Sequence, residues 1–204
     1  RFVARRKIVS KKKKPLIVIC TEGGKKSSEY LYFRHFASRD LRIQFSSGNS
    51  TDPEGMLEDL INYINNEDIK SEDECKIFLV IDTDLNENRI KKIEEIIPKC
   101  QKYNIEVITS APTFEIWYLM HYRKNKLKFS TSQDVKKELE KINGIYKENM
   151  DMYQSIIEML EEAKKTALNI EQKAKNDNED LFRSNPHTSI YKIIVAIEKY
   201  KNNK

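Results

Sequence analysis

The chain has 204 residues, 39% apolar and 34% charged, which allows one core with a helical addition and requires a heavily solvated surface. Five glycines and five prolines are too few for a turn-rich all-β protein, and no apolar run approaches the roughly 20 residues of a membrane span. The net charge of +5 is lopsided: eight of the 37 basic residues fall in residues 1–14 without an acid, leaving 29 basic against 32 acidic elsewhere.

That basic arm is the first element. It lacks the apolar stretch of a signal peptide, so a cytoplasmic location is expected. An arm of this kind adds phosphate affinity to a near-neutral body, with Arg5, Arg6, Lys7, Lys12 and Lys13 as candidate contacts. The alternative is a solvated leader. Cys20, Cys75 and Cys100 have neither CxxC spacing nor nearby histidines, so they read as reduced thiols rather than a zinc site.

Pro15–Thr21 is a short β-branched run suited to a buried parallel strand, ended by Glu22-Gly23-Gly24. Ser27–Ala37 carries apolar positions at helical spacing, and Leu41–Phe45 alternates as a strand. Thr51-Asp52-Pro53 starts a helix with the stripe Met56, Leu57, Leu60, Ile61 and Ile64. Lys76–Ile81 is the next strand, ending in Asp82-Thr83-Asp84. A charged helix through Ile90–Cys100 and a strand at Ile105–Thr109 follow.

The order βαβαβαβ predicts a mostly parallel four-stranded sheet with flanking helices. Beyond Ser110 the pattern is helical only: Ser110–Tyr122, Gln133–Ile142, one long helix from Tyr153 to Ala174, and a last helix opened by Asn185-Pro186. The expected organisation is an arm at 1–14, an α/β core at 15–110 and an all-helical addition at 111–204 packed on it.

Ligands of open parallel sheets bind beyond the carboxyl ends of the strands, where Glu22, Asp82 and Asp84 fall. Strand alternation points Asp82 and Asp84 the same way, so three carboxylates can converge. Crowded like charges need a compensating cation, and oxygen-only donors suit Mg²⁺, with Mn²⁺ as a substitute. Glu115, in a helical first turn, is either a supporting ligand or a dipole-compensating acid. Lys25 and Lys26 precede a helix and are candidates for phosphate contact or plain solvated lysines. Gly24-Lys25-Lys26 is no phosphate loop, because Lys26 stands where Ser or Thr is required and Ile19 where the early glycine belongs.

At these residues the sequence resembles the TOPRIM fold, the Rossmann-like metal-binding domain of topoisomerases, primases and OLD-type nucleases, over Leu16 to about Thr109. More narrowly, ICTEGGKKSSEYLYF, FLVIDTD, SAPTFEIWYLMHY and SNPHTS resemble the RloB-like family of bacterial defence-associated proteins. The chain departs from that family's pattern at Thr21, where Cys or Val is expected, at Ser27, where Glu is expected, and at Ala111, where Asn is usual.

The resemblance implies a Mg²⁺-dependent nuclease acting on RNA (tRNA included) or DNA, a role against phage, and a neighbouring AAA- or ABC-type ATPase partner. Glu22, Asp82 and Asp84 are then the catalytic acids. Asn185, His187 and Thr188 either hold a substrate phosphate at the last helix's N-terminus or, with Asn185-Pro186 as a plain cap, only start that helix. A non-catalytic nucleic-acid or nucleotide sensor using the same pocket is the rival reading.

Overall fold

A computed structural model of the protein describes residues 14–46, 48–69, 74–122 and 127–202. The candidate arm contacts Arg5, Arg6, Lys7, Lys12 and Lys13 lie outside the described residues. Five strands form one sheet in the order β2-β1-β3-β4-β5. They are β1 (Leu16–Cys20), β2 (Arg42–Ser46), β3 (Cys75–Asp82), β4 (Ile105–Ala111) and β5 (His187–Thr188). The first four are parallel, and β5 runs antiparallel to the end of β4, pairing Ser110 with Thr188 and Ala111 with His187.

Alternation along the central strands sorts side chains onto two faces. Leu16, Val18 and Cys20 of β1 and Ile77, Leu79 and Ile81 of β3 pack with Met56, Leu57, Leu60, Ile93 and Ile96. Those partners belong to α2 (Pro53–Asn66) and α3 (Glu87–Lys102), which lie together on that face. Ile17 and Ile19 of β1 and Phe78 and Val80 of β3 face a larger, aromatic cluster. It is supplied by α1 (Ser28–Phe33), α4 (Glu115–Met120), α5 (Ser132–Ile142), α6 (Tyr153–Ile156), α7 (Leu160–Asn176) and α8 (Tyr191–Asn202). Trp117, Tyr32, Tyr118, Phe33 and Phe114 are all buried there, where truncating one such ring costs about 3–5 kcal/mol.

Three expectations change. The sheet has five strands, not four, and the region after Ser110 is not all-helical. β4 runs on to Ala111, and β5 comes from the expected helical addition, so that region completes the sheet as well as packing on it. Asn185-Pro186 does not open the last helix, because the Asn185 side chain bonds both the N–H and the C=O of Phe129, and the next two residues pair with β4. The long helix from Tyr153 is interrupted by a 3₁₀ turn at Ile157–Met159.

Candidate active site at the carboxyl edge of the sheet

Glu22 follows β1 in a tight loop. The Thr21 hydroxyl donates to the Gly23 carbonyl (2.9 Å). A Cβ at Gly23 would stand 2.3 Å from the Cβ of Ser27, so only glycine lets this loop fold against the Ser27 side chain that caps α1. Lys25 and Lys26 are exposed in the turn that follows.

The Asp82-Thr83-Asp84 segment is tied to the end of β4. Thr83 N–H donates to the Ser110 carbonyl (2.9 Å) and Asp84 N–H to the Pro112 carbonyl (3.0 Å). The chain then reverses through Asp84 and Leu85, both left-handed with φ 52°, closed by Asn86 N–H on the Thr83 carbonyl (3.0 Å). Asp tolerates that conformation and Leu does not, so the turn carries strain that the β4 contacts must hold.

This turn splits the predicted triad. Asp82 keeps the register of Phe78 and Val80 and points to the face of α1 and α4, whereas Asp84 has left the strand. Arg89, in the first turn of α3, forms an ion pair with Glu22 and lies 3.5 Å from Asp84 Oδ2. Its Nε donates to the Asp82 carbonyl (2.6 Å) and its Nη1 to the Thr51 carbonyl (2.9 Å). Burial lowers the pKa of its guanidinium from the usual value.

Asp82 instead shares its surroundings with Glu115 and with Glu29, an acid of α1. Glu115 is buried and accepts from Ser28 Oγ (2.9 Å), Thr113 Oγ1 (2.7 Å) and Tyr146 Oη (3.5 Å). Thr113 Oγ1 also lies 2.9 Å from Asp82 Oδ2. A hydroxyl has one proton, so both contacts are hydrogen bonds only when one of the two carboxyls is itself protonated. The electrostatics agree: burial, then the charges of Glu29 and Glu115, push Asp82 well above the usual carboxylate range. Burial and the Glu115 charge raise Glu29 to about 7. Asp82 Oδ1 is buried with no hydrogen-bond partner.

Among the described residues, no group of three or more His, Cys, Asp or Glu side chains is arranged to hold a metal ion. The site thus has two parts: a nest of Asp82, Glu29 and Glu115, and an arginine-bridged pair of Glu22 and Asp84. His187 and Thr188 are elsewhere occupied. They are buried in the β4–β5 pairing, with His187 Nε2 3.4 Å from Thr109 Oγ1 and Thr188 Oγ1 2.9 Å from Ser110 Oγ. The helix N-terminus expected at Asn185 does not form there, because α8 begins at Tyr191.

Sequence reasoning missed Glu29, Arg89 and Thr113. The acid expected at Ser27 is present two residues later: Ser27 caps the helix and its hydroxyl hydrogen-bonds the Glu29 carboxylate. Arg89 had a legible signal, since a cation in a helical first turn opposes the macrodipole and calls for nearby acids.

Among the described residues no helix is long and apolar enough to cross a membrane. No curated protein and no solved structure matches the chain. The family model described as RloB-like protein matches residues 17–197, a span that takes in every strand except the first residue of β1, and all the acids described above. The chain therefore belongs to the RloB-like family.

Proposed function

We propose that this protein is a divalent-metal-dependent nuclease with a TOPRIM-type site, acting on RNA or DNA in the cytoplasm as an effector of bacterial defence against phage. An ATPase partner is part of that reading. The observation that carries it is Asp82: a carboxylate at the carboxyl end of a central strand, crowded by two further acids, with one buried oxygen lacking any partner. Crowding one buried and two half-buried carboxylates together is costly unless a cation joins them.

The donor chemistry fits Mg²⁺ or Mn²⁺, which take hard oxygen ligands. Asp82 would be the central ligand, with Glu29 and Glu115 beside it, and Glu22 and Asp84 available once Arg89 lets them go. The cation would polarise a phosphoryl oxygen and favour a hydroxide nucleophile. Glu22, once released from Arg89, would take or return the proton of the attacking or leaving oxygen. Ser28 and Tyr146 would hold Glu115 in place, and the single Thr113 proton would stay with one of Asp82 and Glu115 when both are ionised.

The test is cleavage of labelled RNA and DNA by the purified protein with Mg²⁺, with Mn²⁺ and with chelator. We expect cleavage that needs the metal and vanishes in Asp82→Asn. Cleavage in chelator, or a fully active Asp82→Asn protein, overturns the reading. One observation favours the rival sensor: Arg89 already neutralises Glu22 and approaches Asp84, leaving that half closed. Metal-dependent binding of nucleic acid or nucleotide without cleavage would select it.

A further inference from the structure

Four of the five acids of the two half-sites, all but Glu22, share one cation on a helix outside the parallel core. Lys136 of α5 is near enough to Glu29, Asp82, Asp84 and Glu115 to act on the charge of each. One turn earlier on the same face, Ser132 Oγ donates to Asp84 Oδ1 (3.4 Å). Tyr146, in the loop after α5, puts its hydroxyl 3.5 Å from Glu115 Oε1. Helix α5 also packs on α4, which carries Glu115. The capping box at Thr131 and Asp134 fixes where the helix begins, and therefore where Ser132 and Lys136 stand.

The Lys136 side chain is 18% exposed, yet its direct ion-pair partner Glu148 is 60% exposed. The lysine is thus held at the rim of the nest by an acid that water can readily replace. Burial works against its charge, but the Glu148 bond and the charges of Glu115, Glu148 and Asp82 outweigh that, so it stays an ammonium. A flexible, permanently charged lysine on the solvent side of a carboxylate nest has the chemistry of a phosphate contact.

We propose that Lys136 grips the phosphodiester of the substrate at the mouth of this site, exchanging Glu148 for a phosphate oxygen. Helix α5 is then the wall that positions the strand over Asp82. The proposal rests on the nucleic-acid reading given above and adds a substrate-binding residue to it. Glu148 serves as the lysine's resting partner when no strand is present.

The experiment measures binding of a labelled single-stranded RNA, and of DNA of the same sequence, in Ca²⁺ across a salt series. The proteins are the full-length wild type, Lys136→Met, Lys136→Arg and Glu148→Ala, with thermal melts as folding controls. Lys136→Met should weaken binding about tenfold or more, the equivalent of one charge-assisted hydrogen bond, and flatten the salt slope by about 0.7. Lys136→Arg should retain affinity and slope, and Glu148→Ala should bind more tightly at low salt. Wild-type affinity and slope in Lys136→Met overturn the assignment of Lys136 while leaving the nuclease reading intact. Weaker binding in Glu148→Ala, or no rescue by Arg, assigns Lys136 a structural role instead. A wild type that neither binds nor cleaves either strand removes the nucleic-acid reading itself, and this proposal with it.

Discussion

The two halves of the site hold their acids by opposite means. Glu22 and Asp84 are met by a guanidinium that is itself anchored to two backbone carbonyls. Asp82, Glu29 and Glu115 are met mainly by hydroxyls, with too few protons to satisfy every oxygen. The first half is electrically settled and can be released only by moving an arginine. The second is left short of positive charge, which is the condition in which a cation or a proton binds. Acids two residues apart in the sequence can therefore have different roles, because one left-handed turn sends Asp84 away from the strand register that Asp82 keeps.

The sharpest break in this comparison is activity. Under the nuclease reading Asp82→Asn removes the central ligand and should cost about a thousandfold or more in cleavage rate. Its fold should be unaffected or slightly firmer without metal, because one buried like charge has gone. Asp84→Asn should cost less if the nest alone holds the cation, and as much if both halves close around it. Single-turnover rates with the two variants side by side decide between these geometries.

Arg89→Met attacks the other half through stability. It strips Glu22 of its counter-ion and leaves the Asp82 and Thr51 carbonyls without their donor, so unfolding should become easier by about 3 kcal/mol. Urea unfolding of wild type and variant measures this. In the variant, saturating Mg²⁺ should recover part of the loss if Glu22 is then free to coordinate.

The nest should reveal itself by pH. Glu29 titrates near 7 in the folded protein and near 4.3 unfolded, so the folded state binds the extra proton between those values. Stability is then fully present below the unfolded value and is lost as pH rises through the folded one, by up to about 3–4 kcal/mol for this group. Melting temperatures of metal-free protein from pH 4.5 to 8 should fall accordingly, and Glu29→Gln should flatten the curve. A flat wild-type profile would mean that the three acids do not crowd one another.

Asn185→Ala gives the smallest effect expected here. It deletes two hydrogen bonds to the Phe129 backbone and should cost about 1–2 kcal/mol of stability, read by chemical denaturation. Cleavage per folded molecule should stay near wild type, because this side chain faces Phe129 and neither half of the site.

What the sequence could reveal follows the range over which each feature is determined. β1 is an apolar run buried throughout and β3 has a buried apolar stretch from Ile77 to Ile81, and their ends locate Glu22 and Asp82 without any tertiary information. β5 is two residues long and has no period of its own. It exists because β4 leaves an edge for it to pair with. The stripe from Tyr153 to Ala174 hid a break because a 3₁₀ turn disturbs helical spacing only slightly. Nothing in the sequence sets Glu29 and Lys136 apart from the other charged residues of their helices. Only tertiary packing, α5 on α4 among it, brings their charges within reach of Asp82.

The pairing of Ser110 with Thr188 joins residues 78 positions apart, and it lies beside the carbonyls that hold Thr83 and Asp84. During synthesis Glu22, Glu29, Asp82 and Glu115 all leave the ribosome well before Thr188 does. The sheet edge that steadies the aspartate turn is therefore completed late, after a long loop has closed. A nascent chain would carry every acid of the site while lacking its finished geometry. For a protein proposed to cut nucleic acid, maturation would then wait until the segment that carries β5 has been made and has paired with β4.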